Sequence, residues 1–232
     1  ELNIRQLNIA NLDIKNNIAL KQINCSSNNL SALDLSMNTA LQILVCCNNK
    51  LTALNLDANT ALKDLDCSYN ELTSLDISKN SALFFINCSS NKLKSLNLKN
   101  GNNTNFVKTH GIYFKYFDGN LGSNHNFSVK NNFDLSCITV DNLTYSNTNW
   151  SDIKEAVTSY SDYECSTVTL IPDATFEDKL IALGIDTDNK KGLILNSSIS
   201  GLTSLDISNS SITNLTGIQG FTSLTDLNCS AN

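Results

Sequence analysis

Between Asn17 and Asn100 one 21-residue pattern is written four times. The copy Asn17-Ile-Ala-Leu-Lys-Gln-Ile-Asn-Cys25-Ser-Ser-Asn28-Asn-Leu30 is answered by copies that begin at Asn38, Asn59 and Asn80. Superposed, they give three apolar columns: Leu20, Leu41, Leu62, Leu83; Ile23, Leu44, Leu65, Ile86; and Leu30, Leu51, Leu72, Leu93. Cys25, Cys46, Cys67 and Cys88 form a fourth column, and Asn28, Asn49, Asn70 and Asn91 a fifth. A chain that repeats itself at a fixed period of this length folds as a solenoid, because each unit hides its apolar edge only by stacking on its neighbours. Function is then to be sought on an extended surface.

Each unit reads L-x-x-L-x-C-x-x-N-x-L and resembles the leucine-rich repeats. The resemblance implies a solenoid of mainly short parallel β-strands and turns. Ile23-Asn-Cys25 and its equivalents are the predicted strands, with alternate side chains turned into the core. The column Asn turns the chain, its amide pairing backbone groups that the corner leaves unsatisfied. Each unit also divides into halves of 10 and 11 residues, Leu20..Ile23.Cys25..Asn28 being echoed by Leu30..Leu33.Leu35..Asn38. Such halves leave no room for a long convex helix, so strand is expected on one side and short strand or turn on the other. Residues 1–16 read as an eroded copy with Ile4, Ile9, Leu12 and Ile14 on the ladder and Leu7 where Asn is expected.

Composition changes near residue 100. All nine glycines lie at or beyond Gly101, and residues 1–100 carry nine Lys/Arg against eight Asp/Glu where the remainder carries seven against fourteen. A net charge of −6 with no basic run argues against a nucleic-acid partner. No apolar run approaches the ~20 residues of a membrane span. A chain that begins and ends inside repeats is expected to be part of a longer one, so the lack of a signal peptide carries little weight.

The column cysteines, with Cys229, are expected to be small core hydrophobes. Four of them on strands ~4.8 Å apart form a row of roughly 14 Å, which cannot converge on a tetrahedral zinc whose bonds are ~2.3 Å. No metal is expected. Cys137 and Cys165 flank a non-repeat segment, and a disulfide there would close a loop of about 28 residues and stabilise by roughly 3–4 kcal/mol if unstrained. Cys47, beside Cys46, is expected to face outward.

After Asn100 the period is lost for about thirty residues, then Asn132-Phe-Asp-Leu135-Ser-Cys137-Ile138-Thr-Val140 restores one strand. Asn149 to Tyr160 has apolar residues at i, i+3, i+4 and i+7, which predicts a short helix capped by Ser151, with Trp150 in the core of a cap over the open solenoid end. Ile171-Pro-Asp-Ala-Thr-Phe176-Glu-Asp-Lys-Leu180-Ile-Ala-Leu183-Gly184 predicts a second helix, with Phe176, Leu180 and Leu183 on one face and Gly184 ending it. Leu202..Leu205.Ile207 then leads to Leu224..Leu227.Cys229..Asn232, a spacing of 22 residues that resembles internalin-type repeats. The expected organisation is a first array at 1–100, its C-terminal cap at 101–168, and an N-terminal helical cap with the start of a second array at 169–232. These are two arrays joined by a capping segment with few short helices.

Asn-Thr-Ala-Leu-Lys-Asp-Leu-Asp-Cys-Ser-Tyr-Asn (59–70), Cys137-Ile-Thr-Val-Asp and Ile-Pro-Asp-Ala-Thr-Phe-Glu-Asp-Lys-Leu together resemble the large leucine-rich-repeat surface proteins of Bacteroidota. That resemblance implies several capped arrays in one chain, export by the type IX route and attachment at the outer cell surface. Residues 107–126 depart from the pattern and read as an insertion.

The insertion places Tyr113, Phe114, Tyr116 and Phe117 within five positions. Those rings either contact a glycan or protein ligand or cover the open end of the array. His110 and His125 are the only histidines and have no HExxH-like companion. On the strand face the outward positions are Gln22, Asn24, Ser26; Ile43, Val45, Cys47; Asp64, Asp66, Ser68; and Phe85, Asn87, Ser89. The third rung is acidic between apolar neighbours, so Asp64, Asp66 and Phe85 are candidates for a basic or amphipathic contact, the alternative being a solvated face. Asp186-Thr-Asp188-Asn189-Lys-Lys-Gly192 has the outline of a calcium loop, without the closing Glu and with Lys190 and Lys191 where ligands are needed. No nucleophile–base constellation, phosphate loop or cofactor motif is present, so neither catalysis nor a cofactor is expected. The expectation is an extracellular adhesion or recognition module for a protein or glycan, against a spacer that presents other domains or a glycan-capture module.

Overall fold

A computed structural model describes residues 1–106, 127–156, 158–187 and 192–232. They form two units, 1–162 and 163–232.

In the first unit the strands are, in chain order, β1 (Leu2–Asn3), β2 (Gln22–Asn24), β3 (Ile43–Val45), β4 (Asp64–Asp66), β5 (Ser74–Asp76), β6 (Phe85–Asn87), β7 (Ser95–Asn97), β8 (Phe127–Ser128), β9 (Cys137–Thr139) and β10 (Ser159–Ser161). Two parallel sheets run side by side along the coil, in the orders β1-β2-β3-β4-β6-β8 and β10-β9-β7-β5. Register follows the repeat: Ile23, Leu44, Leu65 and Ile86 pair in succession. The eroded copy keeps that register, Leu2 lying opposite Ile23. In the first two copies the second half-repeat makes its turn without an assigned strand. The coil is a solenoid by its own geometry, one short parallel strand of the first sheet per 21 residues with the ladder side chains inside.

Between the sheets lies one continuous core. Leu41, Leu62, Leu83, Leu30, Leu51, Leu72 and Leu93 are all fully buried, as are Cys25, Cys46, Cys67 and Cys88. At the corner after each strand of the first sheet, Ser27, Asn48, Tyr69 and Ser90 take φ of 53–56°. Left-handed backbone is uncommon for residues other than glycine, and its recurrence at this place in every rung shows that the following Asn imposes it.

The end of this unit differs from the sequence reading. A helix, α1 (Leu143–Asn149), lies upstream of the expected one and is capped by Asn142, whose side chain accepts from Tyr145 N. The expected helix does not form: Ser159–Ser161 is β10, paired parallel to Cys137–Thr139. The apolar spacing at 150–160 fits a helix face, but a neighbouring strand 22 residues earlier offers Tyr160 a pairing with Ile138 that a lone turn of helix cannot match. Trp150 does what was expected of it. It is 1% exposed, stacks on Phe106, meets Phe127, Tyr145 and Tyr160 edge-on, and donates Nε1–H to Phe106 O. Tyr160 Oη donates to Trp150 O at 2.8 Å.

The interruption is shorter than the sequence suggests. Asn132 sends Nδ2 to Cys88 O and Val129 O and accepts from Leu93 N, so Phe127-Ser-Val129-Lys-Asn-Asn132 is one more rung with Val129 in the cysteine place.

The second unit holds β11 (Val168–Leu170), α2 (Ala174–Ala182), β12 (Leu193–Leu195), α3 (Asn196–Ile199), β13 (Ser204–Asp206) and β14 (Asp226–Asn228). β11 and β12 are antiparallel, while β13 and β14 are parallel with Ser204 opposite Asp226, a step of 22 residues. Asp173 caps α2 through Thr175 N and Phe176 N, and its other oxygen accepts from Thr213 N, Thr213 Oγ1 and Asn214 N. These donors hold its carboxyl down to about 2. Phe176 and Leu180 are buried as expected, but Leu183 is 46% exposed because it lies past the last full turn, before Gly184 at φ 69°. Gly217, at φ 106°, passes so close to β11 that an added Cβ would stand 2.4 Å from Leu170 O. Cys229 keeps its place in the rung but is exposed. In this it departs from the expected core position.

Candidate functional site

Two faces of the first unit carry side chains that repeat from rung to rung: the corner, where the Asn columns lie, and the outward face of the first sheet.

At the corner the amide of each column Asn is used completely. Asn49 donates Nδ2 to Cys25 O at 3.0 Å and Cys46 O at 3.1 Å, and accepts from Leu30 N at 3.0 Å. Asn70 and Asn91 repeat the set one and two rungs on. At the N-terminal edge Asn28 binds Ile4 O and Cys25 O and accepts from Leu7 N and Ile9 N. Each amide therefore joins its own rung to the one before, as expected from the sequence.

A second Asn column, Asn38, Asn59 and Asn80, closes the opposite corner and is fully buried. Asn59 donates to Leu35 O and Asn38 O, and Asn80 to Leu56 O and Asn59 O. Their Oδ1 atoms, like that of Asn38, have no hydrogen-bond partner. These residues open each copy of the repeat, and that recurrence was the available signal for a structural role.

Burial pushes the Cys25 and Cys88 thiols up to about 12, and those of Cys46 and Cys67 well above the ordinary range. Such thiols are poor nucleophiles and poor ligands. Among the described residues no group of three or more His, Cys, Asp or Glu is placed to hold a metal ion. Cys137 and Cys165 are joined by a disulfide, as the sequence suggested.

The outward face is largely buried, with Gln22, Ile43, Asn87 and Ser89 half-buried. Asn24, Ser26, Val45, Cys47, Asp64, Asp66, Ser68 and Phe85 are all buried. Cys47 does lie on the outward side, but it packs with Val45 and Ile43 in a small apolar cluster. Two positions on this face share a device that the sequence reading overlooked. Asn24 Oδ1 accepts from Ser26 N and Ser26 Oγ, and Asp66 Oδ1 accepts from Ser68 N at 3.0 Å and Ser68 Oγ at 2.6 Å. Asn87 with Ser89, Asp206 with Ser208 and Asn228 with Ser230 repeat it. The recurring Asn/Asp-x-Ser tripeptide was its signal, a side chain folding back on the backbone two residues on. Asp66 is thus occupied within its own turn. Asp64 is not: its Oδ1 has no partner, and burial raises its carboxyl to about 6.

Tyr113, Phe114, Tyr116 and Phe117, with His110 and His125, lie outside the described residues, as do Asp188, Asn189, Lys190 and Lys191 of the calcium-like loop. Of that loop, Asp186 is buried, and Glu177 on α2 accepts from Gly192 N. Among the described residues no helix is long and apolar enough to cross a membrane.

No protein-family model matches the chain, and no curated protein does. A solved structure of the functional domain of InlJ from Listeria monocytogenes, which includes a cysteine ladder, is similar at 24% identity and a TM-score of 0.45, covering 97% of this chain and 47% of that one. The chain therefore spans about half the length of the structure it matches.

Proposed function

We propose that this chain is an extracellular recognition module that holds a protein or glycan partner against the outward face and edges of a rigid coil. One observation carries this: the register is unbroken from β1 to β8, while the outward residue at the first place of each strand, which takes no part in the Asn/Asp–Ser turns, changes from Gln22 to Ile43 to Asp64 to Phe85. A coil that served only as a rod needs the inward columns constant and has no use for such variation outside. The disulfide suits an oxidising compartment, and the sequence resemblance to the surface proteins of Bacteroidota supports type IX export and attachment at the outer cell surface, in a longer chain of several capped arrays. No catalytic step is assigned to it.

The test is to immobilise the full chain and screen glycans and purified surface proteins. Saturable binding to one class, lost when the chain is unfolded, is the expected result. A clean null across both panels would favour a spacer that holds other domains away from the cell. Soluble-glycan binding abolished by Tyr113→Ala with Phe117→Ala would instead assign the insertion, and a role in glycan capture.

A further inference from the structure

The sequence contains Asn-Gly once, at Asn100-Gly101, and the fold accounts for its place. Asn100 stands at the end of the fourth copy and sends Nδ2 to Asn80 O at 2.9 Å, as Asn80 does to Asn59 O one rung earlier. In the earlier copies Thr39, Thr60 and Ser81 follow the corner Asn. After Asn100 the chain turns differently, through a residue at φ 76° with open space around it. Glycine takes that conformation without strain.

Asn-Gly is also the dipeptide in which asparagine closes most readily on its neighbour, because glycine puts no side chain in the way of its own nitrogen. The Gly101 nitrogen loses its proton and attacks Asn100 Cγ, and Nδ2 leaves as ammonia. Water then opens the cyclic imide at either carbonyl, giving aspartate or isoaspartate.

Each atom of that step is held in the folded chain. Gly101 N–H donates to Asp141 Oδ1 at 3.1 Å, and Asn103 N–H donates to the other oxygen at 3.2 Å. An amide nitrogen that must become an anion beside a carboxylate is opposed by the like charge. The leaving Nδ2 is tied to Asn80 O, Oδ1 accepts from Asn102 N at 3.0 Å, and the Asn100 side chain is 6% exposed. Cγ cannot turn onto the Gly101 nitrogen until these bonds break.

We propose that Asn100 is a deamidation site that Asp141, in the turn after β9, holds shut while this corner is closed. The reaction proceeds only when residues 100–103 open locally, and it does not reverse. A carboxylate at position 100 has no N–H for Asn80 O, so two acceptors would face one another at a buried corner. The corner then stays open, and the segment leading to Phe106, which packs on Phe127 and Trp150, loses that tie to the coil. Deamidation thus makes a transient opening permanent where the cap meets the ladder.

The experiment incubates the full chain at pH 7.5, native and in urea, and follows the peptide spanning residue 100 for isoaspartate and a gain of one mass unit. Fragment sequencing places the change at Asn100 and not at Asn102, Asn103 or Asn105. The native chain should react at least about tenfold more slowly than the unfolded one, since the corner must first open. Asp141→Ala should speed the native reaction by about threefold or more while iodoacetamide still spares Cys25, Cys46, Cys67 and Cys88, which reports an intact ladder. If Asp141→Ala exposes those cysteines, Asp141→Asn takes its place, keeping the shape and removing the charge, and should also speed the reaction. Equal rates in the native and unfolded parent would overturn the proposal. A native rate above the unfolded one would do the same, by showing that Asp141 promotes the attack. So would an unchanged native rate in the folded Asp141 variant, which would remove Asp141 as the holder.

Discussion

The two asparagine columns place the same side chain at the two corners of one coil, at nearly the same burial, and end with different accounts of their atoms. Along Asn49, Asn70 and Asn91 every amide donor and acceptor is used. Along Asn38, Asn59 and Asn80 both donors are used and the oxygen is left unpaired. The difference lies in the chain, not in the residue. After Asn49 the chain runs on into Lys50 and Leu51, and the amide N–H of Leu30 in the rung before points back at its oxygen; after Asn59 a tight turn closes from Leu62 N to Asn59 O, which spends the backbone oxygen and sends no amide to the side chain. Burial alone therefore does not tell how much an Asn contributes; the count of groups orphaned by its removal does.

The strongest way to press that comparison is to remove neighbours. Cys46 O accepts from both Asn49 and Asn70, so Asn49→Ala with Asn70→Ala strips both donors from one buried carbonyl. Urea unfolding should show a loss larger than the sum of the single losses by ~1 kcal/mol. Strict additivity would mean that the two amides act independently and that the shared carbonyl finds water.

Single replacements come next. Asn49→Ala orphans the Leu30 N–H and leaves the Cys25 and Cys46 carbonyls with one side-chain donor each, and should cost about 2–3 kcal/mol, toward the upper end for a buried unsatisfied group. Asn59→Ala also loses two bonds but removes an oxygen that was itself unpaired, so ~1–2 kcal/mol is expected. If the two variants unfold at the same denaturant concentration, the distinction between the columns fails.

A smaller effect concerns the other unpaired oxygen. Asp64 has its carboxyl raised to about 6 from 3.8, so the folded state holds that proton more tightly than the unfolded chain. The stabilising contribution is complete below the unfolded value and lost as pH rises through about 6. Asp64→Asn should thus be more stable than the parent at pH 7, by roughly 1 kcal/mol after allowance for relaxation and screening, and the gap should close by about pH 4. A gap that widens on acidification would show that Asp64 is paired in solution.

The smallest readout needs no mutation. Under native conditions iodoacetamide should label Cys229 and spare Cys25, Cys46, Cys67 and Cys88, which are fully buried with raised thiols. Labelling of the column at the rate of Cys229 would mean that the rungs open far more readily than their hydrogen bonds suggest.

What was legible in the chain was whatever recurs. The ladder, the parallel register and the Asn49-type anchor all follow from positions that return every 21 residues, and Trp150 was readable as core because an open array end needs one. Less legible were the features that depend on a distant partner. Tyr160 has helix-like spacing around it, but its conformation is decided by Ile138. Phe127-Ser-Val129 escaped notice because Val stands where Cys is expected, though Asn132 kept the anchor. Asp66 looked like a contact for a partner because its acidity was weighed and its Ser two residues on was not. Cys47 was placed outward correctly, yet its burial with Val45 is a property of the packed face and not of the strand alternation.

One consequence of the cysteine column concerns timing. Eight cysteines allow roughly 105 fully paired connectivities, and the folded chain joins only Cys137 with Cys165 among them. In an oxidising space an unfolded chain would present the column thiols to the same oxidants as the native pair. What protects them is the brevity of the step between rungs: contacts 21 residues apart close early, each new coil sealing its thiol before a slower disulfide exchange can reach it. The short period thus acts as a race won by folding over oxidation, and lengthening the loop between two rungs would give misoxidation its opening.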